Sequence, residues 1–118
     1  MNTRKKGAAY EQTAIEYLQG RGVVILEHNY RNRRGEIDII GRDGEYTVFC
    51  EVKYRRDDAK GDPAEAVNYG KQRTICRVAD YYRMIHHMGD LTPVRYDVIA
   101  ICGEEITWYQ NAFEHIYG

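Results

Sequence analysis

The sequence predicts a mixed α/β domain whose sheet is covered by helices. Three observations carry this. A helical apolar period opens the chain, three strand-like apolar runs follow with glycine-containing turns between them, and a second helical period leads into further strand-like runs.

Lys5 to Leu18 reads as a helix with Ala8, Ile15 and Leu18 near one face and Ala14 beside them, and Gly20 and Gly22 end it. Val23 to Tyr30 reads as a strand, Arg31-Asn32-Arg33-Arg34-Gly35 as a turn, and Glu36 to Arg42 as a second strand. Asp43-Gly44 is a hairpin signal, and Glu45 to Tyr54 is the third strand. A polar loop then runs through Gly61. Asp62-Pro63-Ala64-Glu65 has the form of a helix start, with Asp62 as N-cap, Pro63 first and Glu65 completing a capping box. Lys71 to Met88 places Ile75, Val78, Ala79, Tyr82 and Ile85 on one helical face. Val94 to Ile101 and the short Ile106 to Tyr109 are strands, so the order is α-β-β-β-α-β with one strand appended.

With 118 residues the chain supports one domain, 1–118, and excludes an eight-fold α/β barrel or a two-lobed enzyme. Leu, Ile, Val and Phe number only 24, but a net charge of −1 argues against disorder, and eleven tyrosines make up part of the apolar deficit. The near-neutral sum hides a contrast. Residues 1–56 carry eleven Lys/Arg against eight Asp/Glu, and residues 57–118 carry six against ten. A polyanion responds to the local field, although a charged surface can equally be solvation alone. Cys50, Cys76 and Cys102 are widely spaced, with no C-x-x-C pair, which suggests neither a disulfide framework nor a zinc site. No signal-peptide core follows Met1 and no run approaches the roughly 20 apolar residues of a membrane span, so the expectation is a cytoplasmic protein with no membrane partner.

The sharpest chemistry lies on the hairpin of strands two and three. Asp38 stands among apolar residues, and thirteen positions later comes Glu51-Val52-Lys53. Alternation puts Glu51 and Lys53 on one face. Register decides whether Asp38 joins them. A two-residue loop at Asp43-Gly44 pairs Asp38 with Phe49, a four-residue loop pairs it with Glu51, and a three-residue loop would separate the faces. Asp-Gly favours the first. Neighbouring carboxylates repel, and a hard divalent cation relieves that repulsion while it holds phosphate oxygens. A lysine beside it stabilises developing charge or holds the attacking water, which together are the parts of phosphodiester hydrolysis. Taken alone, the D-x(12)-E-x-K spacing also fits a solvated ion network. Two features add weight. Asp38 and Glu51 interrupt apolar strand patterns, and a third acid, Glu11, falls on the core-facing side of the first helix, where it needs a partner.

These residues resemble the YraN family of small bacterial proteins, a branch of the PD-(D/E)xK nuclease superfamily similar in architecture to archaeal Holliday junction resolvases. The resemblance runs from about Gly7 to Phe113. It rests on Gly7 with Glu11-Gln12-Thr13-Ala14 and Tyr17-Leu18, on Gly35-Glu36-Ile37-Asp38, and on Glu51-Val52-Lys53-Tyr54-Arg55. Gly61-Asp62-Pro63, Lys71, Arg95-Tyr96-Asp97-Val98 and Asn111-Ala112-Phe113 complete it. It implies a restriction-endonuclease-like core, α-β-β-β-α-β, the order reached above from pattern. It further implies Glu11, Asp38 and Glu51 as ligands of Mg²⁺ or Mn²⁺, and Lys53 as the catalytic lysine. Ile37 stands where the eponymous proline would be.

Basic residues surround this constellation. Arg31, Arg33 and Arg34 precede the Asp38 strand, Arg55 and Arg56 follow Lys53, and Lys71 opens the second helix. They are candidate phosphate contacts, whose binding would weaken with salt. Arg4-Lys5-Lys6 fits a solvated segment better. No base-reading motif is visible, so shape recognition is expected. His86-His87 fits a helix end better than a metal site, because adjacent histidines diverge. The expectation is therefore a metal-dependent endonuclease acting on DNA, branched DNA included, and working as a homodimer if it resembles the resolvases. The alternative is a nuclease-fold protein that binds or recruits to nucleic acid without catalysis.

Overall fold

A computed structural model describes residues 3–55 and 67–118, with side chains from Gly7 onward. Its elements are α1 (Thr3–Gly20), β1 (Val24–Asn32), β2 (Gly35–Asp43), β3 (Tyr46–Arg55), α2 (Tyr69–Ile85), β4 (Val94–Cys102) and β5 (Glu105–Phe113). The expected order is thus the observed one. One mixed sheet runs β1-β2-β3-β4-β5, antiparallel throughout except for the parallel β3–β4 pair, whose crossover contains α2. Asp62-Pro63-Ala64-Glu65 and Arg56 lie outside the described residues, as do the side chains of Arg4-Lys5-Lys6.

Each helix covers one face of the sheet. Ala14, Ile15 and Leu18 of α1 pack on Ile39, Val48, Cys50, Ile99 and Ile101. On the other face, Ile75, Cys76, Val78, Ala79 and Tyr82 of α2 pack on Ile37, Ile40, Phe49, Tyr96 and Val98. The helical stripes are shorter than their sequence period suggested. Ala8 is exposed in the first half of α1, and Ile85 is exposed in the last turn of α2. Asn68 caps α2, its side chain accepting from the Lys71 amide at 2.8 Å. At the other end His86 is the C-cap, and the left-handed His87 that follows ends the helix three residues before Met88.

The two hairpins also differ from expectation. Arg31 and Asn32 continue the β1–β2 ladder opposite Glu36 and Gly35, so the turn shrinks to Arg33-Arg34. Gly35 sits at φ +149° against α2, where a Cβ would come within 2.6 Å of Thr74 Cγ2, so only glycine lets the hairpin approach the helix. In the second hairpin Asp43 pairs with Tyr46, and the two-residue loop is Gly44-Glu45. Gly44 takes the positive φ (+61°) that such a loop needs at its first central position. Asp43 remains in the strand, held by Arg95 at 2.9 Å. This moves the register by two residues from the Asp43-Gly44 expectation and leaves every face unchanged. β5 is longer than Ile106 to Tyr109, because Trp108 and Asn111 both hydrogen-bond Asp97 on β4 and hold its second half in the sheet.

Candidate active site

The β2–β3 ladder begins at Ile39↔Cys50, and continuing its register sets Asp38 opposite Glu51. No main-chain pair forms there. Instead Asp38 Oδ2 accepts the Val52 amide at 2.8 Å, so a carboxylate replaces the ladder where the strands part. Strand alternation also breaks at this residue. Ile39 packs under α1, while Ile37, two positions away, packs under α2. A regular strand would put both on one face. Across the pair on β1, Asn29 adopts φ +53°, and Asn29 and Asp38 are skipped in a register that is constant from Glu27↔Ile40 to Asn32↔Gly35, beyond the shift between Ile25 and Glu27. Both strands therefore make a half-turn together. Asp38 stands on that half-turn, and face alternation alone does not locate it.

Glu51 keeps its parity with Phe49 and faces the α2 side, with Lys53 two residues on. Its side chain is 7% exposed, and Lys71 from the first turn of α2 reaches it, Nζ to Oε2 3.5 Å. Burial raises the Glu51 carboxyl to about 8, contact with Asp38 adds to the rise, and Lys71 and Lys53 oppose it. From the α1 side, the half-buried Glu11 is raised to about 7, by desolvation first and then by Asp38. Asn29, its amide oriented to donate, meets both Glu11 oxygens at 2.8 and 2.9 Å and opposes that shift. Asp38 is thus the shared neighbour of the two glutamates. Both hold protons more tightly than free carboxylates do.

The donor chemistry suits a hard divalent cation, with carboxylate oxygens from three elements and two lysines alongside. Among the described residues, however, no three His, Cys, Asp or Glu side chains already form a closed cation cage. The contacts explain this. Glu11 is drawn to Asn29, Glu51 to Lys71, and one Asp38 oxygen to the Val52 amide. A cation would compete with the first two and leave the third in place.

The remaining basic candidates divide. Lys71 belongs to the acid cluster. Arg31 is highly exposed and pairs with Glu36 at 2.8 Å. Arg33 and Arg34 form the tip of the first hairpin, where their side chains make no hydrogen bond or ion pair among the described residues. Arg55 is half-buried at the end of β3. Sequence reasoning missed Asn29. Its signal was an asparagine inside a strand pattern, a residue depleted in strands but tolerant of the left-handed conformation.

A small α/β domain with an acid–lysine cluster at a strand junction is the class that fold and site define. The chain belongs to the family described as "Uncharacterised protein family UPF0102", whose model matches residues 10–101. It is the YraN family of the resemblance above. It is 45% identical to a UPF0102 protein of Lachnoclostridium phytofermentans over 114 residues, covering 97% of each chain. It is 48% identical to one from Alkaliphilus oremlandii over 115 residues (97% and 98%), and 46% identical to one from Thermodesulfovibrio yellowstonii over 107 (91% and 94%). Among the described residues no helix is long and apolar enough to cross a membrane.

Proposed function

We propose that this protein is a metal-dependent endonuclease of the PD-(D/E)xK type that hydrolyses phosphodiester bonds in DNA, branched DNA included. The observation that supports this is the placement of Asp38 between Glu11 and Glu51, with both glutamates raised and lysines beside Glu51. A structural network would be expected to balance its charges. Here acids outnumber the bases that reach them. Glu11, Asp38 and Glu51 would hold Mg²⁺ or Mn²⁺, which when bound polarises a phosphate oxygen and acidifies a water.

The chain's own residues supply the rest. The Val52 amide fixes Asp38 by donating to Oδ2, which holds the carboxylate between Glu11 and Glu51. Lys53, on the same face as Glu51, places a cation where charge develops on the phosphate. Lys71, once Glu51 turns from it, offers a second cation from the α2 side.

The test incubates purified protein with a four-way junction and with linear duplex, in Mg²⁺, Mn²⁺ or EDTA, beside Asp38→Ala and Lys53→Ala. Metal-dependent cleavage lost in both variants is expected. Cleavage that survives both indicts a contaminant. Metal-independent binding without cleavage would replace this reading with a recruitment role.

A further inference from the structure

We infer that the groove between the β1–β2 hairpin tip and the outer face of α2 binds single-stranded nucleic acid, with arginines on its phosphates and Tyr81 as a base platform. The inference rests on the nucleic-acid reading above and specifies the form of the substrate. Asn32, Arg33, Arg34 and Tyr81 line a recess of about 380 Å³. An adjoining one of about 450 Å³ shares Arg34 and Tyr81 and adds Arg73 and Arg77. Both fall within the range of small-ligand clefts, about 300–1,000 Å³.

The charge in this groove is uneven. Its acid, Asp80, is already engaged by Arg77 at 3.2 Å and His115 at 3.3 Å, and Arg77 also donates to the Ile116 carbonyl. Arg73 spends one nitrogen on the Gly118 carbonyl at 3.1 Å. Arg33, Arg34 and most of Arg73 therefore remain uncompensated among the described residues. Guanidinium suits this role, since its fork matches phosphate and its plane stacks on bases. Tyr81 is 41% exposed at the junction of the two recesses, although its ring would gain from burial. An aromatic face beside arginines is the arrangement that takes unstacked bases, whereas paired bases offer no free face. Continuity with the acid cluster favours nucleic acid over an acidic peptide. Arg34 precedes Asp38 by four residues of strand, roughly 13 Å, so one strand could span groove and acids.

The experiment measures binding of a labelled twelve-nucleotide oligo-dT by fluorescence anisotropy in EDTA, where cleavage plays no part. Tyr81→Ala should weaken binding about fivefold or more, and Tyr81→Phe should restore it. Arg33→Ala, Arg34→Ala and Arg73→Ala should each lower the slope of log Kd against log salt by about 0.7. Arg21→Ala, whose guanidinium lies over Tyr17 at 4.0 Å, should change nothing. Unchanged binding in the Tyr81 and arginine variants, no oligo-dT binding at low salt, tighter binding to blunt duplex, or equal binding to poly-glutamate would each overturn the inference. Loss of cleavage in Asp38→Ala with groove variants inert would leave the nuclease reading standing. Groove binding without any cleavage would do the reverse.

Discussion

Two buried carboxylates, Glu51 and Asp97, sit one step apart on the parallel β3–β4 pair, where Cys50 is opposite Asp97 and Glu51 opposite Val98, and they are treated very differently. Asp97 is fully buried and fully partnered. Arg95 grips it through Nε and Nη2 at 2.9 Å each, Trp108 Nε1 donates at 2.8 Å, and the Asn111 amide at 2.9 Å. Arg95 is itself held by Asp43 and flanked by Tyr46 and Trp108. Glu51 is nearly as buried, but its ion pair among the described residues is a loose 3.5 Å contact with Lys71, and Asp38 crowds it. Asp97 closes a structure, while Glu51 is held in a state that a cation would relieve.

That contrast can be broken most forcefully at Asp97. Asp97→Ala leaves Arg95 buried without its main partner and should cost about 3–5 kcal/mol in chemical denaturation. Cleavage per folded molecule should hardly change; a stability loss under 1 kcal/mol would remove the distinction. Asp38→Ala should do the opposite. It should cut metal-dependent cleavage by at least about a hundredfold, as even indirect support of a metal ligand is worth 10–100-fold, yet leave the melting temperature level or higher. A cleavage rate within tenfold of wild type would deny Asp38 its role.

The pH dependence sharpens the same point. Glu51 ionises near 8 when folded and near 4.5 when unfolded, so between those values the native state keeps a proton that the unfolded chain has released. Stability contributed by this group is complete below about pH 4.5 and is lost as pH rises toward 8. Between pH 5 and pH 8 the melting temperature should fall by an order of 5 °C. Glu51→Gln should flatten that slope, and millimolar Mg²⁺ should raise the melting temperature more at pH 8 than at pH 5. A flat profile in wild type would mean the acids are balanced after all. The smallest effect belongs to the exposed Arg31–Glu36 pair, where Arg31→Ala should change stability by under about 1 kcal/mol.

The element order was legible because most apolar positions pack where their period says: Ile75, Val78 and Tyr82 of α2 against one face of the sheet, and Val48 and Cys50 of β3 under α1. Element ends were less so. Asn111 and Trp108 extend β5 through bonds to a residue of β4, a long-range cause that no local pattern carries. The turn at Gly44 moved by one residue because Arg95, fifty-two positions away, secures Asp43. At the candidate site, Glu11, Asp38, Glu51 and Lys53 were legible as residue types at a spacing. Their meeting was not, because strand alternation has a period of two and that period fails at Asp38 itself. Lys71 was visible only as a charge, and its approach to Glu51 depends on how α2 crosses the sheet.

The half-turn at Asn29 and Asp38 has a wider consequence. A flat sheet is a partition: what lies under one helix is screened from what lies under the other. By rotating two strands in step, the chain opens a doorway in that partition without losing register, and Asp38 stands in it. Glu11 enters from the α1 room and Lys71 from the α2 room. The two layers therefore share a charge at the doorway, so repacking either helix should be felt there.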